Sequence, residues 1–251
     1  MIAATAWLAA IATAVAALEL MRVHRAFESG GVFRWATLRR DFAGAPRFVR
    51  AVADVLFGAR GTWALLVVQL AAAIALPLVA HPAPAFVALG CALAIAIRFR
   101  GSYNGGSDAM LVVVLLGLGI ARAGWPRVGL AYIAAQLVLS YVLAGFAKLR
   151  DPRWRDGSAF EVLAALPAYA VPPAIARLLA RPAIGRAAAY ATLAFECGFP
   201  LALLDPRVAT VMLAIGAGFH LANAIAFGLN RFLWTWLAAY PALWFWAILA
   251  R

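Results

Sequence analysis

Charge is scarce in this chain. Only 13% of its 251 residues are Asp, Glu, Lys or Arg, while 66% are hydrophobic, and the mean hydropathy is +0.90. An ordinary soluble domain is about half apolar and about a quarter charged. A globular core cannot absorb the difference, because too little polar surface would remain to cover it. A soluble enzyme, a disordered chain and a fibrous repeat are therefore excluded. Lysine is almost missing, with Lys148 the sole example among 22 basic residues. The two cysteines, Cys91 and Cys197, both sit in apolar runs, as small buried residues do, and suggest neither a disulfide nor a metal pair. No His-x3-His or Cys-x2-Cys spacing occurs, nor a phosphate-binding loop, a dinucleotide fingerprint or a Ser-His-Asp order. No internal repeat is evident, which weighs against an inverted-repeat transporter.

What remains is an all-α polytopic integral membrane helical bundle. At about 20 residues per span plus loops, about eight crossings are expected. They fall at 2–21, 62–80, 84–99, 109–123, 128–149, 187–204, 208–229 and 232–250. A proline-interrupted segment at 158–181, with Pro167, Pro172 and Pro173, reads as kinked or re-entrant short helices. The whole of 1–251 is expected to form a single transmembrane domain. Met1 to Leu20 lacks a basic leading segment and is too long for a signal peptide core, so it reads as a retained first span. Residues 22–60 hold eight arginines interleaved with Phe33, Trp35, Leu38, Phe48, Val49, Val52 and Phe57. That mixture suits a basic amphipathic segment lying on the membrane surface; a solvated basic loop is the plainer reading. The net charge of +12 points to cytoplasmic loops and anionic lipid headgroups, not to nucleic acid. Loop charge places the N-terminus outside and 22–60 in the cytoplasm.

An ionisable group in a bilayer costs a few kcal/mol unless it faces the protein interior or water, on the order of 3 at a helix centre. Such residues are the functional candidates. Lys148 shares a helix face with Tyr141 and Gly145, and a desolvated lysine can serve as base or nucleophile. The plainer alternative is a lysine that snorkels to the interface. Glu196 lies mid-span with Thr192 one turn before it; an ion pair with an arginine is its structural alternative. His220 and Asn223 share a face of their helix, and Gly216 one turn earlier lets a ligand or another helix come close. Asn104 and Asp108 flank a Gly-Gly-Ser turn, where helix capping by Asp108 competes with a polar lid.

These residues coincide with a known pattern. Tyr141-Val-Leu-Ala-Gly145-Phe-Ala-Lys148-Leu149, followed by Trp154-Arg-Asp-Gly157, resembles a block of the HTTM (horizontally transferred transmembrane) family. That family includes the membrane part of vitamin K-dependent gamma-carboxylase. Asn104-Gly-Gly-Ser-Asp108, Phe195-Glu196 and Phe219-His220-Leu-Ala-Asn223 are similar to further family segments in the same order. The resemblance runs over about 60–250. It implies a base at Lys148 that starts hydroquinone oxygenation, and a cavity lined by His220 and Asn223. His220 is expected to be catalytic beside Lys148, and Asn223, Glu196, Tyr141, Asn104, Asp108 and Trp154 to bind the substrate. The carboxylase has a second lysine where this chain has Ala147 and a histidine where it has Gly106; its large soluble domain is not expected here. The resemblance also implies a lumenal first loop, opposite to the charge rule.

The expectation is an HTTM-like enzyme of the bacterial inner membrane, acting on a quinone, a lipid or a membrane-associated peptide. A gamma-carboxylase-like lyase or oxidoreductase is one form of it. Its rival is a non-catalytic accessory or scaffold subunit for peptide maturation or export. Membrane lipids are the expected surroundings, a quinone or hydroquinone the candidate cofactor, and no metal is expected.

Overall fold

The computed structural model describes residues 1–99 and 106–249. Asn104 lies outside the described residues. Among these, the chain is helical throughout, without strands. Five helices are long and apolar enough to cross a membrane: α1 (Ile2–Arg22), α4 (Ala59–Leu78), α7 (Pro126–Arg150), α12 (Pro206–Phe227) and α13 (Asn230–Leu249). Three other expected spans are shorter. They are α5 (Ala83–Arg98), α6 (Ser107–Arg122) and α11 (Pro182–Gly198), with 16, 16 and 17 residues. At 1.5 Å per residue each is about 24–26 Å long, against a hydrocarbon core of about 30 Å. A 3-10 turn, Phe199–Leu203, lengthens α11 at its end.

Short elements fill the polar stretches. The first holds α2 (Trp35–Leu38) and α3 (Arg47–Phe57). The second holds α8 (Pro152–Asp156), α9 (Ala159–Ala164) and α10 (Pro173–Leu179). The prolines of 158–181 therefore yield two short helices and a 3-10 turn at Pro167–Tyr169, not a straight span. The chain divides into two compact units, Ile2–Gly129 and Leu130–Arg251.

In the first unit α1 packs along α4 and α6. The side it buries is built from small residues, Ala6, Ala9, Thr13, Ala16 and Ala17, which let helix backbones approach. α4 ends just beyond Pro77, and Arg122 donates to the Leu76 carbonyl at 2.6 Å, satisfying one acceptor of the helix end. Arg98, 1% exposed, is the deepest charge among the described residues of this unit. It donates through Nε to Thr62 Oγ1 at 2.7 Å and through both terminal nitrogens to the Phe33 carbonyl at 3.2 Å. Its guanidinium also lies 4.3 Å from the Phe99 ring centroid. Arg98 thereby ties the 24–34 turn to the bundle. Arg98→Met is expected to cost about 1.5–3 kcal/mol, the range for charged hydrogen bonds. Faster proteolysis after Arg34 in detergent would register it; unchanged cleavage would contradict the role.

Trp35 packs on Phe57 and Ala53, and its indole donates to Asp54 Oδ1 at 2.8 Å. Arg39 closes on the same carboxylate with two bonds of 2.7 Å. Hydrogen bonds from Arg39, then from Trp35, hold the Asp54 carboxyl below its ordinary value. A lowered carboxyl value means the contribution is whole above the ordinary carboxylate range and is lost as pH falls from there through the lowered value. Protection of the α2 and α3 amides, relative to intrinsic exchange at each pH, is therefore expected to fall below about pH 4, and an Asp54→Asn variant should lose that dependence.

Candidate functional site

Tyr141, Gly145 and Lys148 project along one side of α7, spaced over about 10 Å of axis. α11 meets that side closely. A Cβ on Gly145 would stand 2.8 Å from Cys197 Sγ, 3.0 Å from the Cys197 amide nitrogen and 3.1 Å from Glu196 Cβ. Glycine at 145 is thus what brings Glu196 within reach of Lys148. The ammonium donates to both carboxylate oxygens, each at 2.7 Å. The Glu196 side chain is 4% exposed and that of Lys148 23%. Glu196 is therefore paired with Lys148 and not with an arginine. Gly145→Ala is expected to cost about 1–3 kcal/mol by overpacking and to part the pair. A lowered melting temperature that Cys197→Ala partly restores would show it.

Trp154 supplies the third wall. Lys148 Nζ lies 5.2 Å from its ring centroid, within cation–π range. α8 begins with Asp151 accepting from the Arg153 amide at 3.0 Å and ends on Gly157. Gly157 has φ +86°, and a Cβ there would meet Arg186 Cα at 2.6 Å. Glycine alone suits both demands. The Trp-x-x-Gly spacing is one helical turn, closed by a left-handed glycine seated on α11. Trp154 packs edge-on against Phe160 at 5.3 Å.

Two turns before Lys148, a second cluster is sealed from solvent. Tyr141 Oη lies 2.8 Å from His220 Nε2 on α12 and 2.9 Å from Tyr240 Oη on α13. Tyr141 is 1% exposed and His220 2%. Gly216 makes room for the Tyr240 hydroxyl, which a side chain there would strike. Phe199, Trp236 and Phe195 surround Tyr141, with centroids 4.0, 4.5 and 5.0 Å away. Counting hydrogens orders the chain of bonds. If Tyr240 donates to Tyr141 and Tyr141 donates to Nε2, both hydroxyl hydrogens are used. In the reverse order the Tyr240 hydrogen has no acceptor among the described residues. The first order puts the imidazole proton on Nδ1. That atom and Trp236 Nε1 are buried without a hydrogen-bond partner among the described residues. Their rings are neighbours, with centroids 4.9 Å apart.

Two other polar residues bond within their own helices. The Asn223 amide donates to its own helix, to Phe219 O at 3.0 Å, and Thr192 likewise to Ala188 O at 2.9 Å. Asp108 is in the first turn of α6, in the unit Ile2–Gly129, with Gly106 at the cap position. Tyr240 and Trp236 were not foreseen. Their i, i+4 spacing puts them on one helix face, but Phe and Trp abound in α13 and a polar tip on an aromatic ring is easily read as packing.

The HTTM domain family matches residues 114–246. The chain belongs to the HTTM family. The HTTM match takes in Tyr141, Lys148, Trp154, Glu196, His220 and Asn223, and begins downstream of Asn104 and Asp108. Comparison with curated proteins and with solved structures yields no match. Five long apolar helices and this family make the HTTM chain an integral membrane protein.

Proposed function

We propose that this HTTM protein is a membrane enzyme in which Lys148, held by Glu196, acts as base on a lipid-soluble substrate, a quinone being the class that fits best. The observation behind this reading is the bidentate pair between the sole lysine and a carboxylate that is 4% exposed. Ammonium and carboxylate are costly to keep charged away from water. Passing one proton from Nζ to Glu196 leaves an amine and an acid, both neutral, and the amine is the reactive form. Glu196 is then the proton acceptor that readies Lys148, and Trp154 holds the amine in place. A base must come within about 2.6–3.2 Å of the group whose proton it takes, directly or through one water.

The Tyr141 cluster supports a quinone by its chemistry. Nδ1 of His220 and Nε1 of Trp236 are N–H donors in an aromatic setting, suited to a ring carbonyl or phenol oxygen. Such a group would supply redox chemistry at its ring oxygens. Tyr141 and Tyr240 hold His220 in the tautomer that donates from Nδ1. A photoactivatable quinone analogue offered to the reconstituted chain is expected to crosslink to peptides carrying His220 or Trp236, and excess quinone to suppress it. Crosslinks confined to lipid-facing residues would overturn the reading.

The near-complete burial of His220 favours a second reading, in which the cluster only holds α7, α12 and α13 together. The chain would then be a non-catalytic accessory subunit for peptide maturation or export. In that case Tyr141→Phe lowers stability without changing any bound small molecule. A bacterial inner membrane is the proposed location under both readings.

A further inference from the structure

α3 is apolar on two sides. Ala53 and Phe57 face inward, onto Trp35 with Phe42 and Leu65. At 100° per residue, Phe48, Ala51, Val52, Val55 and Leu56 fill an arc about 140° wide that adjoins the inward side through half-buried Val49. All five are exposed, Phe48 at 72% and Val55 at 73%. Arg47 and Asp54 lie on one flank of that arc, and Asp54 is already bound by Arg39 and Trp35. Large apolar patches are not left in water, so this face has an occupant. With 11 residues, about 16 Å, α3 is too short to span.

Two features say what covers it. α3 ends at Phe57 and α4 begins at Ala59, with only Gly58 between them, so the helix lies where the chain enters a membrane span. The segment 22–60 carries eight arginines against Glu28, Asp41 and Asp54. Arg34, Arg40, Arg47 and Arg60 are exposed around α2 and α3. An apolar face with a surplus of guanidinium groups, at the mouth of a span, matches a phospholipid monolayer with phosphate-bearing anionic headgroups.

We propose that α3 lies in the membrane interface, with Phe48, Val52 and Val55 inserted among acyl chains and Arg40 and Arg47 on anionic headgroups. The insertion is an anchor that senses lipid charge at the entrance of α4. It is independent of the chemistry assigned to Lys148.

The test uses the full chain with Cys91 and Cys197 replaced by alanine, in phosphatidylcholine vesicles with and without phosphatidylglycerol. Spin labels are placed one at a time through Phe48→Cys, Val52→Cys, Val55→Cys and, as reference, Arg47→Cys. Collision with oxygen is compared with collision with a water-soluble nickel chelate. The oxygen-to-nickel ratio is expected to be several-fold higher at 48, 52 and 55 than at 47. At 48, 52 and 55 the ratio should grow with phosphatidylglycerol, and Arg40→Gln with Arg47→Gln should cancel that growth. Equal ratios at all four positions would overturn the insertion. Labels shielded from both reagents and broadened by each other would overturn it in favour of a second copy. Ratios at 48, 52 and 55 that ignore phosphatidylglycerol would overturn the anionic-headgroup assignment.

Discussion

Lys148→Ala is expected to destabilise the protein by about 3–5 kcal/mol, the range for removing one partner of a buried ion pair. The cause is less the lost attraction than what stays behind. Glu196 keeps a carboxylate that is 4% exposed, with both oxygens stripped of their 2.7 Å donors. Adding Glu196→Leu removes the stranded charge. The double variant should therefore recover most of the loss, since well-packed apolar replacements of buried pairs are often neutral. The measurement is thermal unfolding of the purified protein in one detergent, for wild type, both single variants and the double. A double variant at least as unstable as Lys148→Ala would refute this account of the pair.

Tyr141→Phe is the second large effect, at about 2–5 kcal/mol for two buried hydrogen bonds lost together. The ring stays and its contacts with Phe195, Phe199 and Trp236 persist. What goes is the hydroxyl that joins His220 to Tyr240. Nε2 of His220 then loses its donor and Tyr240 its acceptor. Tyr240→Phe should cost less, since it breaks one bond and leaves the Tyr141–His220 bond whole. A larger loss in Tyr240→Phe than in Tyr141→Phe would contradict the place of Tyr141 at the centre of the cluster.

Helix placement was legible because apolar runs in a membrane chain announce themselves by length. Where helices broke, prolines and glycines marked the places, as at 158–181 and around Gly157. The bounds of α11 were less legible: the helix starts at Pro182, ahead of the expected 187, and hydropathy continues past its end into the turn Phe199–Leu203. At the site, periodicity placed Tyr141, Gly145 and Lys148 on one face, and glycine at 145 turned out to admit α11. Which carboxylate met Lys148 depended on how α7 and α11 pack, and helical spacing within one element carries no record of that. Gly216 signalled a close approach without saying that a tyrosine hydroxyl filled it. Asn223 illustrates the opposite limit: sharing a helix face with His220 did not join it to His220, because its own helix offered a carbonyl one turn back.

The central claim is that Lys148 and its surroundings serve a lipid-soluble substrate. Mass spectrometry of small molecules retained through purification in mild detergent tests it most directly, comparing wild type, Lys148→Ala and Tyr141→Phe. The wild type is expected to retain a defined quinone, which is lost or chemically altered in both variants. The same bulk lipids in all three samples, with no quinone, would contradict the account and leave the two clusters as structural joints of the helices.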